Sequence, residues 1–244
     1  MLRALAGKEE WQRVYGRMAC KATTGLHVPP PTEWHEPECG SYYPYLSAHP
    51  FYEPGDPWYG ERVAQAVALL ERFYPTIKEE MLSLPRKVPL QQYRQPNTAV
   101  KEREVAADGS ALLHEHGDWK VHYLQLEGAS KEQLERMKLA PKTFKIVRSI
   151  QRNSGHALFS VMEPGTHILP HCGPGNYRLR LHLGLVVPPK CRIRVGDQIR
   201  TWSEGKVLVL DDAFQHEVWN DSNSQRVVLI VDICIDACIK RHGP

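Results

Sequence analysis

The stretch GTHILPHCGPGNYRLRLHLGLVVP, residues 165–188, sets His171, Arg178, Arg180 and His182 among leucines patterned for a core. Cations are rarely buried without a partner, because leaving water costs a charge its hydration. The pattern therefore asks for something negative: a metal with its ligands, or a bound acid. From 177 to 187 the side chains alternate. Leu179, Leu181, Leu183 and Leu185 share one face, and Arg178, Arg180, His182 and Gly184 share the other. Residues two apart along a strand lie about 7 Å from each other, so Arg180 and His182 can converge on one small anion. The leucine face is expected between two sheets, and the polar face toward a pocket or, in the plainer reading, toward water.

Three more residues fit the same chemistry. His171 precedes a Pro-Gly turn, and a second histidine, His216, stands in LDDAFQHEVWN. Two histidines at strand ends of a small barrel are the layout of a mononuclear metal site, and imidazole serves iron, zinc, nickel and copper alike. Arg226 opens the otherwise apolar run RVVLIVDICI. A guanidinium aimed into a barrel wants a carboxylate, which its planar fork meets with two parallel bonds. No acidic residue stands out as its internal partner, so a ligand carboxylate is expected. Ser160, mid-strand in ALFSVME, adds a hydroxyl to the same group.

These residues need a scaffold. From about residue 144 the chain reads as short β-branched or leucine-rich runs: FKIVRSI, HALFSVMEP, YRLRLHLGLVVP, CRIRVGDQIRTW, KVLVLDD and RVVLIVDICI. Glycine, proline and Asp-Ser turns separate them, the signature of an all-β barrel or sandwich. Before them, Val63, Val67, Leu70, Tyr74, Ile77, Met81 and Leu84 form one apolar stripe, which predicts a helix over about 58–84. Asp56 and Pro57 read as its cap and Pro85 as its end. WKVHYLQLEG reads as a strand. SKEQLERMKLAPKT reads as a short helix whose Ser130 and Gln133 make an S-x-x-Q box. The expected organisation is an N-terminal extension over 1–57, proline-rich from about 27, followed by a single domain over 58–244 with a β core at about 142–236. His114 and His116 read as solvated loop histidines.

Composition narrows the function classes. A net charge of +3 comes from dispersed basic residues, so a nucleic-acid partner is not expected. No apolar run is long enough to span a bilayer, and neither phosphate-loop glycine pattern occurs. Cys234, Cys238 and His242 follow a C-x3-C-x3-H spacing. That reads as a buried thiol at a strand end, with part of a zinc site as the alternative. Asn220-Asp221-Ser222 is a glycosylation sequon that reads as a polar turn. Glu9 and Glu10 argue against a leader peptide, so the default compartment is the cytoplasm.

The runs SVMEPGTHILPHCGPGNYRLRLHLGLVVP and TWSEGKVLVLDDAFQHEVWNDSNSQRVVLIVDI resemble the aspartyl/asparaginyl β-hydroxylase family, and the likeness spans roughly residues 117–236. The resemblance implies a mainly β fold with flanking helices, a double-stranded β-helix of the jelly-roll or cupin-like type. It implies an iron(II)- and 2-oxoglutarate-dependent dioxygenase that uses O2 to hydroxylate an unactivated carbon, foremost the β-carbon of Asp or Asn in a protein or peptide. Lipids and small molecules are the other substrates it allows, and the endoplasmic reticulum lumen the other compartment. Carried over by motif, His171 and His216 would ligate iron. Arg180 and His182 would contact the metal-proximal carboxylate of 2-oxoglutarate, and Ser160 and Arg226 the distal one. The acid found two residues after the first histidine in most such oxygenases is Gly173 here, an absence the family shares. Asp212 would orient a water on the iron. Two other readings keep the fold: a cupin-like zinc or nickel enzyme, and a binding module without catalysis.

Overall fold

Pro75 divides the helix that the stripe from Val63 to Leu84 predicts. In the computed structural model, which describes residues 49–56, 59–93, 95–96, 110–111, 113–126, 128–150, 155–173 and 175–234, α1 runs Gly60–Arg72 and α2 runs Tyr74–Ser83. Proline has no amide hydrogen for the preceding turn, and its ring crowds the carbonyl four residues back. The chain turns at Phe73, and Pro75 becomes a first-turn residue of the second helix. The residue before α1 is Tyr59. Asp56 does not cap this helix; its carboxylate accepts from the Glu53 amide at 2.7 Å and closes the turn ahead of it. Pro85 lies in a 3-10 turn over Leu84–Arg86.

Ser130 caps α3 (Lys131–Met137) with the expected reciprocal box: the Gln133 amide donates to Ser130 Oγ at 3.2 Å and the Ser130 amide to Gln133 Oε1 at 2.8 Å. FKIVRSI, expected as a strand, belongs to a helix, α4 (Pro141–Ser149). Its first-turn amides find a remote cap. The buried Glu80 of α2 accepts from the Lys142 amide at 2.9 Å, the Thr143 amide at 2.6 Å and the Thr143 hydroxyl at 2.8 Å. Free amides at a helix start need acceptors, and this one supplies three bonds from 62 and 63 residues away.

The strands are β1 (Phe51–Tyr52), β2 (Gln91–Gln92), β3 (Gln95–Pro96), β4 (Ser110–Ala111), β5 (His114–Glu115), β6 (Trp119–Gln125) and β7 (Ala157–Met162). There follow β8 (His167–His171), β9 (Arg178–Val186), β10 (Cys191–Val195), β11 (Gln198–Arg200), β12 (Val207–Leu210), β13 (His216–Asn220) and β14 (Arg226–Cys234). One sheet has the order β1-β12-β9-β14-β7-β6-β2, and the second β11-β10-β13-β8-β5; β3 and β4 pair apart. From β7 the chain passes back and forth between the two sheets, and neighbours pair antiparallel throughout. That winding is the double-stranded β-helix, and its first strand starts at Ala157.

The leucine face of β9 does not pack between the sheets. Leu179, Leu181, Leu183 and Leu185 lie under the helices, in one core with Val63, Leu70, Ile77, Met81 and Val147. Amphipathic helices need an apolar surface to cover their stripe, and this face provides it. The opposite face, with Arg178, Arg180 and His182, looks between the sheets. There Leu158, Met162, Leu210, Val228 and Ile230 meet Ile168, Ile193 and Val218. The sequon is structural: Asn220 is fully buried, and its amide donates to the Met162, Glu163 and Ser224 carbonyls. Cys234 is buried at the end of β14, and Cys238 and His242 lie outside the described residues, as does the chain before residue 49.

His122 on β6 is buried in this helix-side core, beside Phe159 with ring centroids 6.4 Å apart, and its Nε2 has no partner. Burial, and then the Arg136 charge, lower its pKa from 6.5 to about 4. Below pH 6.5 the unfolded chain takes up a proton that the folded one refuses, so stability falls as the pH drops from 6.5 toward 4. The loss from this residue reaches about 2 kcal/mol by pH 5. Urea unfolding of wild type and His122→Leu at pH 7 and pH 5 checks this: the drop between the two pH values should shrink by that amount in the variant.

Candidate functional site

His171 and His216 are cross-strand partners: β13 pairs with β8 so that their Cα positions face each other. The register shifts between His216 and Val218, which stand opposite His171 and Ile168. Ile168 points into the core, and strict alternation would then send His171 outward. The bulge changes the phase and turns His171 to the same side as His216, a known use of bulges beside functional sites. The ring centroids lie 4.1 Å apart with planes at 52°. Each Nδ1 bonds a carbonyl two residues back, Leu169 O at 2.7 Å and Phe214 O at 2.9 Å. That places the proton on Nδ1 and leaves the Nε2 lone pair for a metal. Burial lowers the pKa of both rings, and the closeness of His216 lowers that of His171 further. Neutral imidazole is the form a metal binds. Among the described residues no group of three His, Cys, Asp or Glu side chains is arranged around one ion, so the protein offers two imidazoles.

A third ligand at 173 is excluded by space. A Cβ on Gly173 would lie 2.4 Å from the Asp212 carboxyl carbon, and the Gly173 amide already donates to the Asp212 carbonyl at 2.5 Å. The Asp212 carboxylate fills the volume. Burial pushes its pKa up, but Arg178 and Arg180 outweigh that and hold it well below the usual carboxylate range. It is part of a four-charge cluster. Arg178 Nη2 and Arg180 Nη1 reach Asp212 Oδ2 at 2.7 and 3.1 Å; Arg178 Nη1 reaches Asp232 Oδ2 at 3.1 Å and Arg180 Nε reaches Asp232 Oδ1 at 2.7 Å. Asp232 stands directly across from Arg180 in the β14–β9 register. It is the lone acid of the run RVVLIVDICI, which was its visible signal in the sequence. Arg180, expected to meet a ligand carboxylate, therefore commits Nε, Nη1 and Nη2 to aspartates. The missing negative partner of Arg178 and Arg180 is the protein itself.

His182 and Arg226 are different. His182 is 4% exposed, and its Nε2 has no hydrogen-bond partner. Arg226 is 1% exposed; its Nη1 donates to Ser160 Oγ at 3.4 Å, and its Nε has no partner. No ion pair involves Arg226 among the described residues, and burial alone lowers its pKa to about 10. Ser160 Oγ also accepts from Trp119 Nε1 at 2.9 Å, and Tyr93 stacks on Trp119 with centroids 3.9 Å apart. Buried donors without acceptors are costly. Two of them facing the interior that holds the histidine pair form a cradle for an acid. The cofactor pair, a divalent metal and a dicarboxylate, thus fits the residues present. Sequence reasoning missed Trp119, Tyr93 and Trp202, because a buried aromatic reads as core.

Comparison with known proteins identifies the family. A family model described as aspartyl/asparaginyl beta-hydroxylase matches residues 71–235. The chain belongs to the aspartyl/asparaginyl β-hydroxylase family. The mouse protein named aspartyl/asparaginyl beta-hydroxylase is 38% identical over 193 residues, covering 77% of this chain and 23% of its own length. A Rhizobium tropici protein named ornithine lipid ester-linked acyl 2-hydroxylase is 37% identical over 194 residues, covering 78% of this chain and 62% of its own. The chain therefore spans under a quarter of the mouse member of this β-hydroxylase family. Among solved structures, a Pseudomonas putida prolyl-4-hydroxylase covers 70% of this chain and 99% of its own at 11% identity, with a TM-score of 0.40.

The charge cluster has a measurable consequence. Asp232→Ala leaves two buried guanidiniums sharing one aspartate. Removing one partner of a buried ion pair costs about 3–5 kcal/mol, so the denaturant midpoint should fall sharply. Arg192→Ala, which breaks an exposed pair with Asp221, should change it by under about 1 kcal/mol.

Proposed function

We propose that this chain is an iron(II)- and 2-oxoglutarate-dependent hydroxylase whose substrate is the β-carbon of an Asp or Asn residue in a protein or peptide. The observation that carries the reading is a pair of buried nitrogens without a partner, His182 Nε2 and Arg226 Nε, in the same interior as the facing imidazoles of His171 and His216. A cupin-like zinc or nickel enzyme would use the two histidines and have no need of an uncompensated arginine.

His171 and His216 would hold the metal through Nε2, each ring oriented by its carbonyl bond at Nδ1. His182 would donate to the carboxylate of 2-oxoglutarate nearer the metal. Ser160 and Arg226 would take the distal one, with a charge-assisted bond from the guanidinium fork. Asp212, held ionised by Arg178 and Arg180, lies beside Gly173 and would orient a water at the iron. Apolar side chains of both sheets line the rest and exclude bulk water, which strengthens each of these contacts. Bound iron and 2-oxoglutarate would supply, with O2, the oxidation: one oxygen atom would enter a substrate C–H bond as hydroxyl and the other would leave in succinate, with carbon dioxide released from the keto acid. The protein's work is to bind, align and keep water out. The β-carbon assignment draws on the family model and on the mouse relative's name; the Rhizobium relative's name makes an acyl lipid the alternative substrate.

The test measures succinate release and a +16 mass change, with iron(II), 2-oxoglutarate and O2, on Asp- and Asn-containing peptides and in parallel on acyl lipids. Peptide hydroxylation supports the proposal, lipid hydroxylation alone moves the substrate, and no iron-dependent succinate with either removes the activity. His171→Ala should abolish turnover. Arg226→Ala should raise the 2-oxoglutarate KM by roughly one to two orders of magnitude while metal content stays near wild type; equal loss of both would make Arg226 structural.

A further inference from the structure

Trp202, on the connection between β11 and β12 and 4% exposed, touches both His182 and Arg226. Its Nε1–H donates to His182 Nδ1 at 3.3 Å, with the two rings within 17° of parallel. Its π face carries the Arg226 guanidinium, whose central carbon is 4.5 Å from the ring centroid. A neutral imidazole has one N–H and one lone pair. With the indole hydrogen on Nδ1, the imidazole proton sits on Nε2, the atom that has no partner in the protein. The same indole gives a buried cation a desolvated π face, where such contacts are strongest.

The backbone is arranged to bring the indole there. Gly184, two residues along β9 from His182, donates to the Lys206 carbonyl at 3.1 Å, and its own carbonyl accepts from the Gly205 amide at 2.9 Å. A Cβ at 184 would lie 2.5 Å from the Ser203 carbonyl oxygen, so only glycine admits the 201–206 segment this close to β9. Thr201 Oγ1 ties the segment's start to the Cys191 carbonyl at 2.8 Å, and Glu204 ties its far end to the Val187 amide at 3.1 Å and to Lys78 at 2.6 Å.

We propose that Trp202 is a positioning residue for the dicarboxylate: it fixes His182 as an Nε2–H donor and seats Arg226, so that β9 and β14 present two donors to one ligand. The inference rests on the reading of this interior as a 2-oxoglutarate site. A tryptophan that merely filled space could be exchanged for phenylalanine without consequence to either donor.

The experiment uses the zinc(II)-loaded full chain, which is diamagnetic and does not turn over. Ring nitrogen-15 NMR reads the His182 tautomer without ligand, and calorimetry reads 2-oxoglutarate affinity. Wild type should show the Nε2–H tautomer. Trp202→Phe keeps an aromatic side chain beside Arg226 and removes the N–H donor, and the His182→Ala background separates the loss of the donor from the loss of volume. The single variant should lose the single tautomer and weaken 2-oxoglutarate on the order of tenfold, with zinc uptake unchanged. In a His182→Ala background the same substitution should have little further effect. An Nδ1–H tautomer in wild type overturns the proposal without any variant. So does wild-type affinity in Trp202→Phe, or an equal loss in both backgrounds, which would make Trp202 packing alone. A wild-type protein with the expected tautomer that binds no 2-oxoglutarate overturns the reading of the site, a failure distinct from that of Trp202.

Discussion

Charge buried between two sheets must be answered by charge or by a ligand, and within a few strands the structure holds one set of charges answered by charge and one arginine that is not. Arg178, Arg180, Asp212 and Asp232 form a closed set of two cations and two anions. Each aspartate bridges both arginines, so the desolvation of four ions is offset by four short contacts in a low dielectric. Pairs of that kind are better at fixing geometry than at adding stability. Here the geometry fixed is that of Asp212, pressed against Gly173 and beside the histidine pair. The cluster is complete as it stands and asks for no further anion.

Arg226 lies under the opposite regime. It opens the same strand whose Asp232 serves Arg180, yet it has a serine hydroxyl at the edge of hydrogen-bonding distance and an indole face where a carboxylate would be expected. A protein that only needed stability would replace such a residue by an apolar one. An uncompensated guanidinium, fully buried, is the feature on which the proposed dicarboxylate site rests. One interior thus holds two arginines paired with aspartates and one, Arg226, with no ion pair among the described residues.

Much of this was readable from residues alone. The alternation of β9, the strand-like runs after Ala157, and the isolation of Arg226 in an apolar strand all follow from local pattern. What stayed hidden depends on partners distant in the chain. Lys142 and Thr143 draw their cap from Glu80, so FKIVRSI folds as a helix although its β-branched residues read as strand. The break at Phe73 needed only Pro75 to be weighed against the stripe. Alternation divided the β9 face correctly but could not say which side the helices would cover. It placed Arg180 beside His182, and only the β14 register shows that Asp232 reaches the arginine first. Trp202 carried no signal, since its importance lies in what its indole nitrogen and its face touch.

The same dependence explains why two glycines matter more than their neighbours. At 173 the missing side chain makes room for the Asp212 carboxylate, which comes from the β12–β13 connection. At 184 it makes room for the Ser203 carbonyl, and so for Trp202. In each case a strand or its end gives up a side chain, and a group from a distant loop takes the space. The Asp212 carboxylate is therefore set by a salt-bridge cluster instead of by the strand that carries His171. The His182 ring is held by an indole N–H on its Nδ1 instead of by its own backbone. Both substitutions place a functional atom under tertiary control, which makes the site depend on the register of β9, β12 and β14 as a unit.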